Sequence, residues 1–334
     1  MKAADGPRYA PEWLALREGA DAAARASELL TPLRRHLSSG AGPTDVAPAY
    51  QESPKETSEP VEPSGPVEPS EPVEPAAAAV SPTRGGRSRR NAGLVIRDLG
   101  CGTGSLGRWL APRLNGPQHW ILHDHDPGLL DLAAARMPRT AADGSRVTVT
   151  PHRGDIARLS ADELTGTDLV TASALLDLLT REELDRLAAA CAGAGCPALL
   201  ALSVVGRVEL TPADPLDGAV GGAFNDHQRR LDHGRRLLGP DAVAAAREAF
   251  ARHGMTVRVA DAPWRLGGAE SALIARWLRG WVGAAREQRP DLAPRTTAYL
   301  RRRLEACEAG ELRAVVHHSD VLALPGPGST GGGA

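Results

Sequence analysis

The stretch RDLGCGTGSLG, residues 97–107, decides how the rest of the chain is read. Leu94–Leu99 is a short apolar run of the kind that forms a buried strand, and SLGRWLAPRL (105–114) has helical spacing. A strand that passes through a glycine-rich turn into a helix is a nucleotide cradle. Glycines let the backbone approach the ligand, and the helix start offers unpaired N–H groups. Two ligand classes fit the letters. Gly102-x-Gly104-x-x-Gly107 is the dinucleotide fingerprint, in which the helix start faces an anionic pyrophosphate. Asp98, at the end of the strand, would repel a pyrophosphate and would suit a ligand with a cationic group.

Outward from that stretch, strands and helices alternate. Trp120–Leu122, Val147–Thr150, Asp168–Ala172 and Ala198–Val205 read as further strands. PGLLDLAAARM (127–137) and REELDRLAAACAGA (181–194) read as helices between them. Such alternation predicts an α/β fold with a parallel sheet, helices on both faces and right-handed crossovers. The end differs. A helix over 239–254 and a strand over Met255–Ala260 precede two helical pieces in 269–308, divided by Pro290 and Pro294, and Leu312–Leu324 is a last strand. Two late strands are thus separated by a helical insertion.

Two more strand ends carry acids. Asp124 closes the second strand, where a carboxylate accepts bonds from ribose hydroxyls. Asp155, in RGDI after the third strand, stands where an adenine amino group would be met. Three strand-end acids suit a nucleoside with a cationic tail better than a dinucleotide. S-adenosylmethionine has that character: an α-ammonium, a sulfonium and no phosphate.

With these residues in place, 93–205 resembles a class I S-adenosylmethionine-dependent methyltransferase of the small-molecule type. VIRDLGCGTGSLGRWL is similar to that family's first motif, WILHDHDPGLLDLA to its second, RGDIARL to its adenine motif and TDLVTASALLDLL to its fourth-strand motif. The resemblance implies a Rossmann-like sheet of seven mostly parallel strands whose last strand is antiparallel. It implies cofactor contacts from Asp98, Gly100, Cys101, Gly102, Thr103, Gly104, Asp124, His125, Asp155, Ile156 and Ser173. It also implies that the opening helix caps the cofactor, that 93–325 is the methyltransferase domain, and that 269–308 is its insertion or lid.

The flanks read differently. Residues 11–38 have helical periodicity, with Pro32 expected to kink or divide the helix, and 1–40 is expected to be the cap. Residues 41–92 carry EPVEPS, GPVEPS and EPVEPA in tandem and have little to bury, which predicts a disordered linker. RGGRSRRN (84–91) is either a basic contact or a solvated linker end that balances the acidic repeat. PGPGSTGGGA reads as a tail, flexible over 326–334.

A net charge of −2 on 334 residues gives no global field for nucleic acid or membrane. Aromatic residues make up 3%, so the core must rest on Leu, Val and Ala. Four cysteines without Cys-x-x-Cys pairing predict reduced thiols, no metal site and a cytoplasmic location. No signal pattern or membrane-length apolar run is visible.

For chemistry, His227 is either the first candidate base or substrate contact or a solvated helix histidine, in FNDHQRR within what reads as a long polar loop after the fifth strand. Asn225 stands beside it, and Asp177 follows the fourth strand. Trp264, Trp277 and Trp281 stand either in a lid or in a core. His317 and His318 alternate along a strand, which puts them on opposite faces. Cys101, at a helix start, is placed for a lowered pKa, yet the resemblance implies a small residue here without thiol chemistry. Methylation of RNA or protein, a binding protein without turnover, and a nicotinamide-dependent oxidoreductase are the other readings. The lack of a basic face argues against RNA, and Asp98 with Asp155 argues against the dinucleotide.

Overall fold

The computed structural model of the chain describes residues 10–39, 93–154 and 160–326. The expected linker, the tail from residue 327, and Asp155 with Ile156 lie outside the described residues. In chain order the elements are α1 (Pro11–Ala24), α2 (Leu30–Ser38), β1 (Leu94–Leu99), α3 (Ser105–Leu110), β2 (Gln118–Asp124), α4 (Pro127–Arg136), β3 (Val147–Arg153), β4 (Leu169–Ser173), α5 (Arg181–Ala194) and β5 (Ala198–Thr211). There follow α6 (Asp217–Gln228), the two-residue strands β6 (Leu231–Asp232) and β7 (Arg235–Arg236), α7 (Ala242–Arg252), β8 (Thr256–Asp261), β9 (Trp264–Leu266), α8 (Ser271–Gln288), α9 (Ala293–Glu308) and β10 (Arg313–Leu324).

The main sheet runs β3-β2-β1-β4-β5-β10-β8, with β9 pairing the other end of β10. Strands β1 to β5 are mutually parallel, and β10 is antiparallel to both β5 and β8. This is the expected Rossmann-like sheet with one antiparallel strand; the short β9 makes an eighth. Strand order reverses between β1 and β4, so their carboxyl ends flank a crevice.

Local chemistry sets the helices that flank that crevice. Gly104 precedes α3 at φ 82°, a left-handed turn that glycine adopts without cost. Asp126 caps α4 by accepting the Leu129 N–H at 3.0 Å. Thr180 and Glu183 form a reciprocal capping box at the start of α5. Gly107 lets α3 approach α4 closely: a Cβ there would lie 2.6 Å from the Met137 sulfur.

Packing forms three apolar clusters. One joins α2, α3 and α4 to one sheet face around Trp109, Trp120 and Leu33. The second joins α5 and α7 to the other face around Leu184, Phe250 and Val170. Each fully buried leucine in these layers contributes roughly 2 kcal/mol. The third lies beyond the sheet, where Trp281, Ile274, Tyr299 and Val220 pack α6, α8 and α9 together.

Two expectations are corrected here. The first helical segment breaks at Arg25 and Ala26, whose ψ values are 131° and 92°, not at Pro32. Pro32 falls in the first turn of α2, where a missing N–H has no partner to lose. The two helical pieces of 269–308 do separate as expected, with Pro290 between α8 and α9 and Pro294 in the first turn of α9. The polar stretch after the fifth strand is not a loop: β5 continues to Thr211 and α6 follows. Its glycines lower helix propensity, yet tertiary contacts prevail. Val220 and Ala223 are buried, and Asp217 accepts from Tyr299 Oη at 2.7 Å and Arg303 Nη2 at 2.6 Å. Among the described residues, no helix is long and apolar enough to cross a membrane.

Candidate active site

At the carboxyl ends of β1, β2, β4 and β5 lies a cavity of about 690 Å³, within the range of small-molecule sites. Asp98, Gly100, Cys101, Gly102, Thr103, Asp124, His125 and Ser173 all border it, and so do Asp177 and Asn225.

Asp98 is 1% exposed. It stands opposite Thr171 in the β1–β4 register, and Thr171 Oγ1 donates to Asp98 Oδ1 at 2.7 Å. Oδ2 is buried and has no protein partner. Burial pushes the carboxyl up to about 7; the Thr171 bond and the Arg25 charge oppose that shift. Asp124 instead organises backbone: Oδ2 accepts the Gly102 N–H at 2.9 Å and Oδ1 the Asp126 N–H at 3.1 Å. The second strand end is thereby tied to the glycine loop. His125 Nδ1 lies 3.2 Å from Asp124 Oδ1, with its ring largely in solvent.

Helix α1 closes the cavity over this floor. Trp13, Leu14, Arg17, Asp21 and Arg25 border it. Glu18 grips Arg108 of α3 through both oxygens at 2.7 Å, which latches α1 to the helix after the glycine loop. Arg25 is 4% exposed; Nη2 donates to Ser105 Oγ at 3.0 Å and to Ser173 Oγ at 3.5 Å, while Nε is buried without a partner. Asp320 pins the turn after α1. Its Oδ2 accepts the Ala26 N–H at 2.8 Å and its Oδ1 the Leu202 N–H at 2.7 Å. Leu202 and Ala174, both on the cavity wall, have φ of 55° and 52°. Positive φ at non-glycine residues is held only where surroundings over-determine it, as at binding sites.

The far wall is apolar and aromatic: Val204, Val208, Phe224, Trp264, Trp277 and Val316. Trp264 donates its indole N–H to Asp21 Oδ1 at 3.0 Å, and Arg17 lies 5.1 Å from its ring centroid.

Several expected site residues stand elsewhere. His227 does not border the cavity; its Nε2 lies 3.0 Å from Glu287 Oε2 on α8, because α6 turns that side of the helix away. Asn225 borders the cavity, but its amide donates to the Gly206 carbonyl at 2.8 Å and so braces β5. Gly104 does not border the cavity and packs on Ala133 of α4. Trp281 is in the core, whereas Trp264 and Trp277 face the cavity. The Cys101 thiol is pushed far above its ordinary range by burial and by the Asp98 and Asp124 carboxylates, the reverse of the activation expected at a helix start. His317 and His318 both border the cavity. The register of β10 on β5 slips between Val316 and His318, and that irregularity breaks strict alternation.

Four positions escaped the sequence reading. Arg25 and Asp21 look like ordinary charges on an Ala-rich helix, and their partners are remote in sequence. Thr171 looks like one more β-branched strand residue. Asp320 alone had a local signal, an acid in the otherwise apolar SDVLAL.

The sheet and its flanking helices form an α/β domain with an acidic, glycine-lined crevice at the strand ends. Residues 96–196 match a family model described as a methyltransferase domain. Asp98, the glycine loop and Asp124 all lie inside the matched methyltransferase segment. No curated protein matches the chain. Among solved structures, the cyclopropane synthase MmaA2 from Mycobacterium tuberculosis is similar at 14% identity over 69% of this chain and 78% of that one, TM-score 0.36. Magnesium protoporphyrin IX methyltransferase from Synechocystis PCC 6803 is similar at 18% identity over 51% and 68%, TM-score 0.33. Haemonchus contortus phosphoethanolamine N-methyltransferase 2 in complex with S-adenosyl-L-methionine is similar at 15% identity over 72% and 51%, TM-score 0.35.

Proposed function

We propose that this chain transfers a methyl group to a small-molecule acceptor at nitrogen or oxygen. The observation that carries the reading is the continuity of one cavity from the Asp98–Asp124 floor to the wall of Phe224, Trp264 and Trp277. Its volume suits a cofactor and a compact partner, and α1 covers it.

The orphaned atoms support the cofactor's place. Asp98 Oδ2 and Arg25 Nε are buried, unpartnered and on the same cavity. A carboxylate and a guanidinium so arranged would hold the ammonium and carboxylate of an amino-acid tail. Asp124 would receive ribose hydroxyls. When bound, the cofactor supplies an electrophilic methyl on sulfonium, which needs no metal. This chain's own residues then bind, orient and exclude water. The Glu18–Arg108 latch and the Arg25 contacts hold α1 closed over the reacting region.

An RNA or protein acceptor would call for an open basic or extended groove, and the walled, aromatic chamber favours a small molecule instead. Calorimetric titration tests the reading. Wild type binds S-adenosylmethionine and S-adenosylhomocysteine and not NAD. Arg25→Met and Asp124→Ala each weaken binding about tenfold to a hundredfold, the cost of a lost charged hydrogen bond. NAD binding in place of S-adenosylhomocysteine binding would refute it.

A further inference from the structure

Three of the chain's six tryptophans, Trp13, Trp264 and Trp277, border the cavity, with one of its two phenylalanines, Phe224. In a chain with so few aromatic residues, flat apolar surface is thus concentrated on one wall. His318 stands in that wall. The residue is 4% exposed and its ring centroid lies 5.1 Å from that of Trp264, at 52°. Trp264 is itself fixed by its bond to Asp21, so the imidazole has a rigid neighbour.

His318 Nδ1 is buried and has no hydrogen-bond partner. Leaving such an atom unpaired forfeits its hydration without return, so native structures rarely do it without a use. The ring is held neutral: burial and the Arg17 charge lower its pKa to about 3 against a smaller opposing effect of the Val316 backbone. A neutral imidazole carries one bare nitrogen, which accepts a hydrogen bond. Of the orphaned polar atoms of residues on this cavity, Asp98 Oδ2 and Arg25 Nε answer to the cofactor's tail, which leaves Gln228 Oε1 at the end of α6 and His318 Nδ1. Of these two, the His318 ring is the one set against an aromatic residue, Trp264.

We propose that His318 Nδ1 accepts a hydrogen bond from the methyl acceptor, and that the acceptor is a planar aromatic molecule carrying a hydroxyl or ring N–H. This rests on the methyl-transfer reading of the same cavity. The aromatic wall holds the ring by stacking, and the single acceptor nitrogen selects the edge that carries the donor. His318 fixes the position of the nucleophilic atom; so depressed a base is not the proton's final destination.

Matched probes test this on the full chain saturated with S-adenosylhomocysteine. β-Naphthol is compared with its methyl ether, and indole with N-methylindole, by quenching of tryptophan fluorescence. In wild type the donor-bearing member of at least one pair binds about tenfold to a hundredfold tighter. His318→Phe keeps a ring against Trp264 but offers no acceptor, and the preference falls to about twofold or less. A wild-type measurement guards against a variant that fails to fold: the His318 Nδ1 nitrogen resonance shifts with the preferred donor probe and not with its methylated partner. No preference in either pair, a preference retained in His318→Phe, or no aromatic binding by a chain that binds S-adenosylhomocysteine overturns the inference. Failure to bind S-adenosylhomocysteine strikes the underlying methyl-transfer reading instead.

Discussion

Replacing Asp98 by Asn should stabilise the ligand-free chain while weakening its hold on the cofactor. Burial raises the Asp98 carboxyl from 3.8 to about 7. A displacement of that size corresponds to about 4 kcal/mol between the two protonation states, an upper value because local relaxation recovers part of it. The sign follows from where the proton sits. Below about pH 4 the side chain is protonated in both folded and unfolded chains and contributes nothing. Between about pH 4 and pH 7 the unfolded chain ionises first, so the folded state loses stability as pH rises. Above about pH 7 the loss is complete. The substituted side chain has no charge to bury, and its amide oxygen still accepts from Thr171 Oγ1. Urea denaturation of wild type and Asp98→Asn should therefore coincide near pH 4 and separate by about 2–4 kcal/mol near pH 8, with the variant more stable. The same variant should bind S-adenosylhomocysteine about tenfold to a hundredfold more weakly near pH 8, because the ammonium loses its anionic partner. A gap that does not change with pH, or a variant less stable near pH 8, would refute the reasoning.

Two more outcomes follow from packing and placement. Gly107→Ala sets a methyl 2.6 Å from the Met137 sulfur, and although Met137 can shift, the variant should lose about 1–2 kcal/mol in urea denaturation. An unchanged midpoint would mean that the α3–α4 contact has slack. His227→Ala removes a group paired with exposed Glu287 outside the cavity, so S-adenosylhomocysteine affinity and turnover should stay within about twofold of wild type. A large loss would return His227 to the site.

Much of the cofactor floor was legible in the sequence because it is built from local features. Strand, glycine turn and helix are contiguous, so Asp98 and Gly102 arrive at the crevice together. Asp124 follows in the next strand by the same rule. Aromatic content was legible too, but not its concentration. Trp13, Phe224 and Trp277 come from α1, α6 and α8, and nothing along the chain says that these helices meet. His227 shows the opposite case: a histidine in a polar, glycine-rich stretch reads equally as a catalytic group or a helix-surface residue, and α6 decides for the second by turning it toward Glu287.

By itself the sequence determined the alternation of strand and helix, the glycine turn and the acids at strand ends, since each follows from periodicity, backbone freedom or charge within a few residues. Tertiary structure alone decided that Arg25 and Asp98 share a cavity, that Asp320 secures the turn after α1, and that β10 slips register so that His317 and His318 both reach the wall. Those outcomes depend on which distant surfaces bury one another and on which buried polar atoms find partners. Such balances are struck across the whole molecule and leave no local pattern to read.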